Sequence, residues 1–148
     1  MDQPAPRPAA PQLDFYPHQT DENVRFRDLD PQGHVNQAVF NTYFESGRVG
    51  MFRDPDLGIG VPGATFVAAR MEVNYLRELR WPAAIQVGTG VAEFGRSSFI
   101  VAQAIFDAGA CAATARATMV CIDLSTRKPR ALPQDAIERL SRWKYRGL

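Results

Sequence analysis

The chain has 148 residues, 45% of them hydrophobic, with 17 Lys plus Arg against 16 Asp plus Glu and a formal net charge of +1. That length suits one domain, and that apolar share is ordinary for a globular protein, which excludes wholesale disorder. The even charge balance excludes a general electrostatic pull toward nucleic acid or membrane, and no run approaches the roughly 20 apolar residues a membrane-spanning helix needs.

Met1 to Pro17 holds five of the 11 prolines and no apolar stretch, so it does not read as a secretory leader. Residues 1–20 are expected to be a disordered tail and 21–148 a single folded domain. Val24 and Phe26 alternate with Arg25 and Arg27, which predicts a strand with one wet face ending at Asp28. Asp30-Pro31-Gln32-Gly33 carries the residues a type I turn prefers. Asn36 is a good helix N-cap. The helix it opens is expected to run to about Arg53, with Phe40, Tyr43, Phe44 and Gly47 on one face. Residues 54–63 are a loop by their Pro and Gly content.

From Ala64 the period changes to two. Val67, Met71, Val73 and Tyr75 are expected on one face, with Arg70, Glu72 and Asn74 on the other. Trp81-Pro82 ends that run. In the next strand Ile85, Val87 and Val91 share a face and Gly88 and Gly90 form its back. Gly95 to Ser98 is a turn, Phe99 to Phe106 a strand, and Asp107-Ala108-Gly109 a hairpin loop. The last strand is expected to carry Cys111, Ala113, Ala115, Ala117, Met119 and Cys121 on one face, small enough for the helix to approach closely. Ser125 to Pro129 is a basic loop. A short helix follows from Pro133, a residue suited to a first helical turn, with Ile137, Leu140 and Trp143 inward. Consecutive strands on short loops pair antiparallel, and one long helix on a sheet makes an α+β layer.

Cys111 and Cys121 lie ten residues apart on one predicted strand. That is roughly 33 Å, far beyond the about 7 Å Cα separation a disulfide tolerates. Buried packing thiols and a cytoplasmic location are therefore expected. The two histidines, His18 in the tail and His34 in the turn, argue against a metal site. No Ser-His-Asp or Cys-His arrangement and no phosphate-binding Gly-rich loop is visible.

What stands out chemically is a carboxylate, Asp30, a few residues ahead of a helix N-terminus. Helix N-terminal amides can polarise a carbonyl while a carboxylate works on it. A well-made turn and an N-cap account for the same residues, so the residues alone leave both readings open. Asp28 and His34 crowd the same short stretch, which favours a site. His34 either orients Asp30 or meets a substrate, or fills a turn-side position. Asp28 either supports the site or is a solvated carboxylate.

The pattern Asp28-x-Asp30-x-x-Gly33-His34-Val35-Asn36, followed by Tyr43-Phe44-Glu45-x-x-Arg48 on the helix, resembles the hotdog-fold acyl-CoA thioesterases of the 4-hydroxybenzoyl-CoA thioesterase type. Arg96-Ser97-Ser98-Phe99 and Met71-Glu72-Val73-Asn74-Tyr75 match two further stretches. The resemblance spans about residues 21–140. It implies an antiparallel sheet of about five strands wrapped around one central helix. It implies hydrolysis of an acyl-CoA thioester to coenzyme A and a carboxylic acid, with coenzyme A as part of the substrate and no separate cofactor. Asp30 falls on the catalytic carboxylate, and the amide polarising the carbonyl falls near Gln37. Arg96, Ser97 and Ser98 fall on the loop that meets the nucleotide of coenzyme A, across a subunit interface. A homodimer or dimer of dimers with shared active sites is implied too, as an exposed edge strand would suggest on its own. The Gly-His-Val-Asn stretch is closer to broad acyl-CoA hydrolases than to aromatic-specific members. Glu45 matches a position that is catalytic only in a sister branch, and is read as structural, paired with Arg48 or a neighbour. The rival is a non-catalytic acyl-CoA-binding domain; a hotdog dehydratase is disfavoured because its motif differs.

Overall fold

The computed structural model describes residues 10–147. Its sheet has five antiparallel strands in the order β1-β3-β4-β5-β2. These are β1 (His18–Asn23), β2 (Ala64–Tyr75), β3 (Ala84–Phe94), β4 (Ser98–Asp107) and β5 (Ala110–Asp123). Helix α1 (Gln37–Phe52) packs on one face of the sheet over β1, β3 and β4, and a short helix α2 (Gln134–Ser141) closes one end. Asn36 caps α1 by accepting the Ala38 amide at 3.0 Å. Phe40, Tyr43, Phe44 and Gly47 lie on its buried stripe, as their spacing predicts, and Met51 extends it. Burying a Phe44-sized side chain contributes about 2–3 kcal/mol. Gly47 sets how closely the helix approaches, because a Cβ there would lie 2.6 Å from Val87 Cγ1.

The first strand differs from expectation. Residues 24–28 do not continue as a strand; Val24 is buried but Phe26 is 69% exposed. The Asp28 carboxylate accepts the Arg25 amide at 2.9 Å and curls Phe26–Asp28 into a 3-10 turn. Such local side-chain hydrogen bonding overrides a weak alternation. The strand lies earlier, at His18–Asn23, paired to β3 from His18 opposite Thr89 to Asn23 opposite Ala84. Its inward residues, His18, Thr20 and Glu22, are polar, so no apolar period marks it. The packed unit therefore reaches back into residues 13–20, where a tail was expected; Tyr16 is buried and meets Gly88, whose Cβ would lie 2.6 Å from the Tyr16 ring. The remainder of the expected tail, residues 1–9, lies outside the described residues.

Two faces are also reassigned by single extra residues. In β2 the register to β5 slips between Ala68 and Arg70. Phe66 and Met71 consequently share the core face, and Val67 turns outward at 37% exposure. In β5 the register to β4 slips between Ala113 and Cys111. Cys111 therefore leaves the face shared by Ala113, Ala115, Ala117, Met119 and Cys121 and packs with Phe106 and Tyr16 on the outer side. Bulges of this kind cannot be read from one strand, because the partner decides which residue is extra. Both thiols are free, and burial raises the pKa of each.

Candidate active site

The site is built on a small hairpin. Leu29 pairs with Val35 as an antiparallel bridge, and the Asp30 amide donates to the His34 carbonyl at 2.8 Å. Gly33, at a φ of 82°, closes the turn by donating to the Asp30 carbonyl at 3.0 Å. A left-handed φ of that kind favours glycine. The hairpin is held from both sides: Val35 N–H donates to Leu79 O at 2.8 Å and Asn36 N–H to Asp28 O at 2.9 Å. Asp30 Oδ1 accepts the Gln32 amide at 2.8 Å and the His34 amide at 3.4 Å. The turn role is therefore real, and it uses one oxygen; Oδ2 has no hydrogen-bond partner among the described residues.

At the helix start, Ala38 N–H is taken by the Asn36 side chain and Val39 N–H by the Asn36 carbonyl, at 2.8 Å. The Gln37 amide, first in the helix, has no partner among the described residues. Asp30, His34, Gln37, Phe40, Tyr75 and Glu78 line a single cleft of about 350 Å³. Phe40 and Tyr75 form its apolar wall, their rings edge to face at 5.2 Å. An open carboxylate oxygen, an open helix N-terminal amide and an aromatic wall in one cleft can hold a carbonyl compound, polarise its oxygen and attack or hydrate its carbon.

His34 faces the cleft but is engaged away from Asp30. Its Nε2 lies 3.1 Å from Glu78 Oε2 and 3.3 Å from Arg80 Nη2, and Arg80 also reaches Glu78 at 3.2 Å. Glu78 thus ties His34 and Arg80 together, and the imidazole tautomer sets whether Nε2 bonds Glu78 or Arg80. Glu78 and Arg80 carry no signal in the sequence; the loop between β2 and β3 brings them to His34.

Arg96, Ser97 and Ser98 are not brought to this cleft. Their turn sits at the other end of α1, where Phe99 packs on Phe52 with ring centroids 6.0 Å apart. A 16-residue helix separates the two places by about 24 Å. Their backbone is occupied: the carbonyls of Arg96 and Ser97 accept the amides of Leu132 and Cys121 at 2.9 and 2.8 Å. The Arg96 side chain is exposed.

Asp28 is buried rather than solvated, and its Oδ2 accepts the Tyr43 hydroxyl at 2.6 Å. Burial alone would raise its pKa, but the Tyr43 hydroxyl and the Arg25 amide and guanidinium outweigh it and hold the carboxyl below the usual range. Tyr43, legible only as a core residue, thus braces the hairpin from the helix. Glu45 is exposed and makes no ion pair with Arg48 among the described residues. Arg48 turns inward and donates to Gln103 Oε1 at 3.1 Å instead, and burial lowers its pKa while Glu45 pulls it up. Among the described residues no group of three or more His, Cys, Asp or Glu side chains could hold a metal ion, and no helix is long and apolar enough to cross a membrane.

The family model of the thioesterase-like superfamily matches residues 24–140. The chain belongs to that superfamily. The match covers the hairpin, α1 and the whole sheet beyond β1, so the expected hotdog fold, family and enzyme class stand. The long-chain acyl-CoA thioesterase FadM of Escherichia coli K12 is 29% identical over 126 residues, covering 82% of this chain and 96% of that protein. The acyl-CoA thioester hydrolase YbgC of Escherichia coli O157:H7 is 26% identical over 118 residues, covering 77% and 88%. A thioesterase from Thermus thermophilus, crystallised with coenzyme A and Zn, superposes with a TM-score of 0.77 at 36% identity, over 91% of this chain and 99% of that one.

Proposed function

We propose that this member of the thioesterase-like superfamily hydrolyses an acyl-CoA thioester to coenzyme A and a carboxylic acid, with Asp30 as nucleophile or general base. The observation that carries the reading is the shared cleft of the Asp30 carboxylate and the unpartnered Gln37 amide. In one route Asp30 Oδ2 attacks the thioester carbon, the C–S bond breaks, and the thiolate takes a proton from water. The mixed anhydride is then hydrolysed, regenerating the carboxylate. In the other, Asp30 removes a proton from a water that attacks the carbon directly. Either way negative charge gathers on the carbonyl oxygen, where one amide donor is worth on the order of 3 kcal/mol. Neither route uses a metal or a further cofactor. His34, tied to Glu78, fits a role at the substrate rather than as Asp30's partner.

The acyl-CoA relatives by name and the coenzyme A complex of the Thermus thermophilus thioesterase support the substrate class. A site shared by two copies is part of the same reading. Helix α1 leaves the inward face of β2 thinly covered, and Tyr75 is 42% exposed there. Because β2 is an open edge, a second copy paired along it by a two-fold axis would run its α1 antiparallel to the first. Arg96, Ser97 and Ser98 of one copy would then approach the Asp30 cleft of the other and could meet the nucleotide of coenzyme A. Cytoplasmic location agrees with two free thiols.

The test offers a panel of acyl-CoAs with a thiol-detecting reagent to the native protein and to Asp30→Asn. Thiol release should fall by about 10²–10⁴-fold in the variant. Equal release by both proteins would remove Asp30 from the chemistry. Binding without release by the native protein would favour a non-catalytic acyl-CoA-binding domain.

A further inference from the structure

The outer face of the sheet, opposite α1, carries a second cleft. Strand β1 accompanies β3 only as far as Thr89. Beyond it the C-terminal segment takes over the edge: Val91 N–H donates to Trp143 O and Tyr145 N–H to Val91 O, both at 2.8 Å. The segment alternates. Trp143 and Tyr145 are half-buried, whereas Arg142, Lys144 and Arg146 are exposed. Its position is tightly held. Tyr145 lies 4.9 Å from Tyr16, ring to ring, and a Cβ at Gly90 would lie 3.1 Å from the Tyr145 backbone. The three cations therefore stand in a set register along the edge of the sheet.

The register slip between Val91 and Glu93 turns Glu93 outward, where Arg116 of β5 pairs with it at 2.9 Å. Arg116, Arg142, Lys144 and Arg146 now line one cleft of about 600 Å³, and Glu93 is the only acid among the described residues that line it. Arg142 and Lys144 make no ion pair among the described residues, and Arg146 reaches only the Asp14 carbonyl, at 3.5 Å. Among the described residues, four cations against one carboxylate is a surplus of three, in a chain whose formal net charge is +1. Like charges held this close repel and weaken the fold. Anchoring Trp143 and Tyr145 does not need them, since neutral residues would serve the exposed positions equally well.

We propose that this cleft binds a small phosphorylated anion of the diphosphate class. Its volume lies within the range of small-ligand sites, and guanidinium groups meet phosphate oxygens in pairs. It shares no lining residue with the Asp30 cleft and lies across the sheet from it. The site is therefore separate from the proposed hydrolysis and does not depend on it.

Titration calorimetry of the full chain with inorganic diphosphate, and separately with ADP, tests this at low salt. Saturable one-to-one binding of diphosphate is expected, weakened about tenfold or more in Arg142→Ser/Lys144→Ser/Arg146→Ser, and retained in Lys144→Arg. Thioester hydrolysis by all three proteins should be alike. Equal affinity for ADP and diphosphate means that the diphosphate group alone is read; tighter ADP binding means that the nucleoside is read as well; both support the site. Should the triple variant unfold, Lys144→Glu carries the same comparison. No saturable binding of either probe, unchanged affinity in the variants, or a rise in KM for acyl-CoA in step with lost diphosphate binding would overturn it.

Discussion

The two ends of α1 are built for different tasks. At the N-terminal end polar groups are left open: the Gln37 amide and one oxygen of Asp30 have no partner among the described residues, and both residues line a cleft. At the C-terminal end the last turn closes on itself and is packed over by aromatic rings. The Arg53 amide returns to the Met51 and Val49 carbonyls, and Phe99 meets both Phe52 and Phe66 edge to face. One helix thus serves as an anchor at one end and a source of unsatisfied donors at the other. The rigid end makes the open end possible, because a free helix terminus is useful only when it does not move.

That contrast can be broken at either end. The largest effect is expected at the anchor. Phe99 is fully buried against Phe52 and Phe66, so Phe99→Ala should cost about 3–5 kcal/mol in denaturant unfolding. A cost below about 1 kcal/mol would mean the cluster does not hold the helix. At the open end, Gln37→Pro removes the amide and little else. Proline suits a first helical position, and Asn36 before it already has φ −56° and ψ 134°, which a following proline accepts. Thioester hydrolysis should fall about 10²-fold with stability nearly unchanged, while Gln37→Ala, which keeps the amide, should behave as the native protein. Equal rates for the two variants would deny the amide its role.

The smallest effect concerns His18, near the anchored end, packed against Gly50 and 3.8 Å from Asp54. Burial lowers its pKa, and the Asp54 charge only partly opposes this. The folded protein therefore binds this proton less readily than the unfolded chain. Stability from the neutral ring is present above the ordinary histidine value of about 6.5 and is lost as pH falls through the lowered folded value. Melting temperatures between neutral and mildly acidic pH should decline more steeply for the native protein than for His18→Gln; parallel curves would assign the decline elsewhere.

The helix was legible because three local signals agree on it: a capping Asn36, an apolar stripe at helical spacing, and a Pro- and Gly-rich stop. The candidate cleft was half legible. Asp30, Gly33, Asn36 and Gln37 lie within eight residues and position one another through short-range hydrogen bonds. Glu78 and Arg80, which hold His34, come from a loop 44 and 46 positions further along, and nothing local marks them as its partners. The basic cleft escaped notice for a similar reason, since Arg116 lies on one strand and its companions on another segment.

The amino-acid sequence by itself determined what is local: the turn at Asp30, the cap and buried stripe of α1, and the existence and chain order of β2 to β5. These depend on side chains within a few residues of each other, so backbone preference and periodicity decide them. Tertiary structure alone decided the rest. It chose His18–Asn23 as the first strand although its inward residues are polar, because β3 offered an edge and α1 a glycine to lie against. It turned Val67 and Cys111 outward, because a bulge is fixed by the partner strand's register rather than by the strand's own pattern. It also satisfied the backbone groups around Asp30 and Gln37 while leaving those two open, a choice that depends on which groups the packed chain can reach.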